Sequence, residues 1–65
     1  MTVADHIFKY LNENDMSQHE FSIRTHCCEN SVSKYLSGRT LPHAKNLKSI
    51  AVELGITVDE LLEDV

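Results

Sequence analysis

The chain has 65 residues, 42% hydrophobic and 25% charged, with a formal net charge of −4; that composition fits one folded domain spanning 1–65 and excludes a second core, a collagen-like repeat or a disordered tail. Below roughly 70–80 residues a single core gives only a few kcal/mol of net stability, so a modestly stable fold is expected. No apolar run approaches the roughly 18 residues of a membrane span, and Met1-Thr2-Val3-Ala4-Asp5 has neither the basic region nor the apolar stretch of an export leader, so a cytoplasmic protein without a membrane partner is expected.

Val3, Ile7, Phe8 and Leu11 recur at helical spacing behind a capping Thr2, and Asn12-Glu13-Asn14-Asp15 ends the pattern, which predicts a first helix. Ser17-Gln18-His19-Glu20 reads as a capping box, with Ser17 accepting from the amide three residues on and Glu20 reaching back to the Ser17 amide. A short second helix follows, to about Thr25. His26-Cys27-Cys28 breaks the period, and Val32 and Tyr35 resume it in a third helix over about Glu29 to Ser37, closed by a left-handed cap at Gly38. Arg39-Thr40-Leu41-Pro42 is a loop. Leu47, Ile50, Ala51 and Leu54 then form one face of a fourth helix that Gly55 ends, and Thr57-Val58-Asp59-Glu60 is a second capping box, opening a last helix through Leu61 and Leu62. No segment alternates at period two for long enough to form a strand.

Net acidity argues at first against nucleic acid, because a duplex presents dense phosphate charge that a binder must neutralise. The distribution reverses that impression. Residues 1–20 hold one base (Lys9) against four acids (Asp5, Glu13, Asp15, Glu20), giving −3, and residues 51–65 hold five acids alone, giving −5. Between Phe21 and Ile50 stand five bases (Arg24, Lys34, Arg39, Lys45, Lys48) against the single acid Glu29, giving +4. The two cysteines, Cys27 and Cys28, are adjacent and cannot staple distant elements, so reduced thiols are expected. His19, His26, Cys27 and Cys28 also lack the paired spacing of zinc ligands, so neither a metal nor any other cofactor is expected. No Ser/His/Asp set, HExxH or glycine-rich phosphate loop suggests an enzyme.

Two short helices joined by a three- to four-residue turn, here Ser17–Thr25 and Glu29–Ser37, make a helix-turn-helix, whose second helix enters the major groove while the first crosses the backbone. Met16-Ser17-Gln18-x-x-Phe21-Ser22, Val32-x-x-Tyr35-x-x-Gly38-Arg39, Pro42, Asn46-Leu47-x-x-Ile50-Ala51-x-x-Leu54-Gly55-Ile56 and Asp59-Glu60-Leu61-Leu62 together resemble the Cro/CI-type repressor family. The resemblance covers nearly all of the chain beyond the first helix. It implies an all-α, compact five-helix domain of the lambda-repressor-like kind, acting in a bacterial cell or a phage-infected host. The chain departs from the family where His26 replaces the usual turn glycine, and where Cys27 and Cys28 replace a valine and a capping serine or threonine. Cys27 is expected to fill core, and Cys28 to cap poorly.

The helical period turns Val32 and Tyr35 inward and leaves Glu29, Asn30, Ser33, Lys34 and Ser37 facing out. The resemblance implies base contacts from Glu29, Asn30 and Lys34, and Ser33 shares their face; Asn suits adenine, Lys guanine, and Glu the cytosine amino group. Phosphate contacts are expected from Ser17 and Gln18 at the start of the second helix, and from Arg39, Thr40, Lys45 and Asn46 around the loop. Arg24 and Lys48 are expected to be solvated charges on the flank. One domain covers a half-site, so a double-stranded operator implies a weak homodimer, through exposed apolar residues such as Leu36 or Leu41. Leu36 has two readings: packed under the Arg39–Pro42 loop, or solvent-facing as an anchor for a partner. The second belongs to an alternative function, a modulator or antirepressor that covers the DNA-reading surface of a partner repressor.

Overall fold

In the computed structural model, which describes residues 2–63, five helices follow in chain order: α1 (Val3–Glu13), α2 (Gln18–Thr25), α3 (Glu29–Leu36), α4 (Ala44–Leu54) and α5 (Val58–Leu62). No strand occurs among the described residues. Met1, read above as part of the N-terminal segment, and Asp64, counted with the C-terminal acids, lie outside them, as does Val65.

The longest of these helices has 11 residues, below the roughly 12–15 at which an isolated helix holds in water. Tertiary burial must therefore supply what propensity does not. Each helix gives one fully enclosed apolar side chain to a common core: Ile7, Phe21, Val32, Ile50 and Leu61. Val3 and Leu11 extend the α1 contribution along the same stripe. Phe8, grouped with them by the sequence reading, is instead half exposed, because it stands a 100° step round the helix from Ile7. Leu36 is only 7% exposed. Since α3 packs against both α1 and α2, its buried stripe widens to take in Val32, Tyr35 and Leu36, and the outward reading of Leu36 is corrected.

Polar groups tie the helices where the core ends. The Tyr10 ring sits on Phe21 with centroids 5.9 Å apart and planes tilted by 60°. Its hydroxyl donates to Glu53 Oε2 at 2.5 Å. Arg24 bridges the same Glu53 oxygen (3.6 Å) and Glu20 (3.3 Å), so it joins α2 to α4 and is not the free flank charge expected from the sequence. On α2, buried Thr25 donates its hydroxyl to the Phe21 carbonyl at 2.8 Å.

Four of the five helices end in the same way. Asp15, His26, Gly38 and Gly55 all have positive φ, at 49°, 57°, 77° and 76°. After each turn, one amide bonds back three residues and the next bonds back five, as in His26 to Ile23 (3.3 Å) with Cys27 to Ser22 (3.0 Å), and Gly38 to Tyr35 (3.2 Å) with Arg39 to Lys34 (3.2 Å). This is the Schellman arrangement. At the N-termini, Ser17 and Thr57 accept from the amides of Glu20 and Glu60. The return half of each expected capping box is missing: Glu20 turns to Arg24, and Glu60 takes the Thr57 hydroxyl. The complete box is Thr2 with Asp5, whose hydrogen bonds from Thr2 hold the Asp5 carboxyl below its ordinary pKa.

His26 occupies a left-handed position that costs a residue with a Cβ roughly 1–2 kcal/mol, partly offset by the chain entropy glycine would lose. His26→Gly should therefore stabilise the domain by about 0.5–1 kcal/mol, read as a rise of a few degrees in Tm; an unchanged or lower Tm would count against strain at this turn. The bond to Glu53, followed by burial, raises the Tyr10 pKa. A raised folded-state pKa contributes stability that is complete below the ordinary tyrosine value of about 10 and is lost as pH climbs through the folded value. Tyr10→Phe should cost about 0.5–1 kcal/mol at neutral pH, and denaturant titrations should show that gap closing above pH 10.

Candidate nucleic-acid interface

The inner stripe of α3 is anchored, so its outer face is held rigidly. Glu29, Asn30, Ser33 and Lys34 are all exposed on it, with Ser37 just past its end and Ser31 half-buried at the seam. The helix stops at Leu36, one residue short of the expected Ser37, whose hydroxyl donates to the Lys34 carbonyl at 2.8 Å. What fixes the angle of this face is the left-handed turn at His26. Cys27, half-buried against the core, donates its thiol to the Thr25 carbonyl at 3.6 Å.

Helix N-termini around this face carry unpaired backbone donors. Cys28 and His43 begin α3 and α4 without a side-chain cap, which leaves the first-turn amides of both helices open to an outside acceptor. Ser17 caps α2 through Glu20, and Gln18 beside it is exposed. Arg39, Thr40 and Lys45 are exposed between α3 and the first turn of α4, with Pro42 buried beneath them. Asn46 is different. Its side-chain amide donates one N–H to the Tyr35 hydroxyl at 2.8 Å, so that group joins α3 to α4, and the second amide N–H and the backbone N–H are what Asn46 has left for an outside acceptor.

Glu29 has a neighbour that the sequence reading missed. His19 Nδ1 lies 3.2 Å from Glu29 Oε2, with the two side chains 68% and 57% exposed. The contact joins the first turn of α2 to the first turn of α3. The residues are ten apart in sequence, and only the turn at His26 brings them together, so no spacing rule could have paired them. His19 entered the sequence reading solely as a conceivable metal ligand. Among the described residues, no three His, Cys, Asp or Glu side chains are grouped so as to hold a metal ion.

The 8-residue helix α3 thus presents a polar face backed by core, with uncapped helix N-termini at Cys28 and His43. No helix among the described residues is long and apolar enough to cross a membrane. No curated protein and no solved structure matches the chain. A helix-turn-helix family model does, over residues 7–61, a span that takes in all of α2, α3 and α4. The chain therefore belongs to the helix-turn-helix family of Cro/CI type, a family of DNA-binding transcription regulators.

Proposed function

We propose that this protein is a sequence-specific repressor that reads the major groove of a double-stranded operator with α3. The observation that carries the reading is the exposed set Glu29, Asn30, Ser33 and Lys34 on a helix whose opposite side is locked in the core by Val32, Tyr35 and Leu36. Readout requires donors and acceptors held in place, because a bidentate contact discriminates bases only when its geometry is fixed. In this reading Asn30 pairs with adenine, Lys34 donates to guanine, Glu29 accepts from cytosine, and Ser33 serves either donors or acceptors. Ser17, Gln18, Arg39, Thr40 and Lys45, with the backbone N–H of Asn46, hold phosphates and set the register.

One domain covers a half-site, so a two-fold operator takes two copies. With Leu36 in the core, Leu41, 69% exposed and next in sequence to Arg39 and Thr40, is the one of that pair of leucines left for a weak contact between the copies. The burial of Leu36 also removes the anchor of the antirepressor reading.

The test begins with a duplex selected from a random pool by the wild-type protein. Its affinity should fall steeply with salt, each phosphate contact adding about 0.9 to the log–log slope, and Lys45→Ala should lower that slope by about 1. Binding that ignores salt would sink the proposed surface. Asn30→Ala should cost about 1–3 kcal/mol on the selected duplex and little on random sequence. Equal losses on both would make Asn30 a phosphate contact, and a protein that selects no duplex but binds a partner repressor would favour the antirepressor.

A further inference from the structure

The one acid of the basic central segment stands on the reading face, where phosphates repel it. A carboxylate there is useful only if it is aimed at a donor. His19 is placed to hold that aim. Its Nδ1 reaches Glu29 Oε2 at 3.2 Å, which fixes one carboxylate oxygen and leaves Oε1 without a partner among the described residues. With Nδ1–H donating to the carboxylate, the second ring nitrogen, Nε2, faces outward as an acceptor in the neutral imidazole.

We propose that His19 is a specificity-determining positioning residue: from α2 it orients the Glu29 carboxylate at the start of α3 so that Oε1 accepts from the cytosine amino group of a C·G pair. The proposal rests on the reading of α3 as the recognition helix and assigns to that reading a residue from the other helix of the pair. The surroundings leave His19 free for this task. On its own helix Glu20 is committed to Arg24, and His26 lies at the far end beside the left-handed turn. From α3, Glu29 is the group in contact, with the Cys28 thiol just before it and Lys34 more than a turn further on. From α4, Lys48 and Glu53 line a groove together with Arg24 and His26, and Arg24 bonds to Glu53.

The experiment uses the full chain and the duplex that the wild type selects from a random pool. Anisotropy is measured on that duplex, and on one in which the C·G pair facing the start of α3 is replaced by T·A, for wild type, His19→Ala, Glu29→Gln, their double variant and His19→Asn. Both side chains are exposed, and circular dichroism checks that each variant folds. His19→Ala and Glu29→Gln should each reduce discrimination against T·A on the order of tenfold, within the range of one good base contact. The double variant should be no worse than either single one, since both remove the same contact. His19→Asn, whose side-chain amide places a donor near the Nδ1 position, should keep most of the wild-type discrimination. Additive losses, no retained discrimination in His19→Asn, or lost discrimination in Glu29→Gln alone would overturn the role of His19 while leaving α3 as the reader. Failure of the wild type to select any duplex would overturn both.

Discussion

Everything in this domain depends on five side chains meeting at one place. Ile7, Phe21, Val32, Ile50 and Leu61 come from five different helices and are all sealed from solvent, and no helix is long enough to persist without that meeting. Secondary and tertiary structure are therefore a single cooperative event. Half-buried Tyr10, Met16, Leu47, Leu54, Ile56 and Val58 pack around the centre. This shell is thin, as surface-to-volume scaling requires of so short a chain, which makes every helix end count.

Those ends set directions. With helices of 5 to 11 residues, the angle between successive elements is decided by the few residues that join them, and four of the joints use a left-handed residue with the same pair of back-bonds. Glycine does this at Gly38 and Gly55 with open space where a Cβ would stand. Asp15 and His26 do it at a conformational cost. At His26 the cost falls on the joint that aims α3, so the backbone of the recognition unit carries strain that the surrounding packing must over-determine. The same joint brings His19 beside Glu29. Local backbone geometry thus arranges a side-chain contact on the exposed surface.

The helical periods of α1 and α4, the caps at Thr2, Ser17 and Thr57, and the glycine stop signals were legible in the sequence because each is a local rule acting over three to five residues. Leu36 was ambiguous because one helix period predicts one stripe, whereas α3 is packed on two sides. Phe8 failed in the opposite direction, an apolar residue on a stripe wider than its helix buries. Arg24, Asn46 and His19 escaped for a shared reason: their partners Glu53, Tyr35 and Glu29 are set by tertiary approach. Composition said what these residues are able to bond to, and only the packing angles said which partner arrives. The outer face of α3 was readable before the fold, since a face is a property of one helix. The pairing that disciplines Glu29 belongs to two.

The charge pattern gains its meaning from the same architecture. An acidic excess would disfavour a duplex if it were spread evenly, but Asp5 and Glu13 lie on α1 with Asp15 just after it, and Asp59 and Glu60 lie on α5 with Glu63 at its end; these two helices pack on each other, with α1 against the buried side of α3. The cations Lys34, Arg39 and Lys45 stand on α3, on the loop after it and at the start of α4. The molecule is therefore a dipole whose positive end coincides with the face proposed to read the duplex. Such a distribution steers approach, because a duplex attracts one side and repels the other, and it keeps attraction that is independent of sequence weak. A weak general term leaves more of the discrimination to the specific contacts proposed for α3.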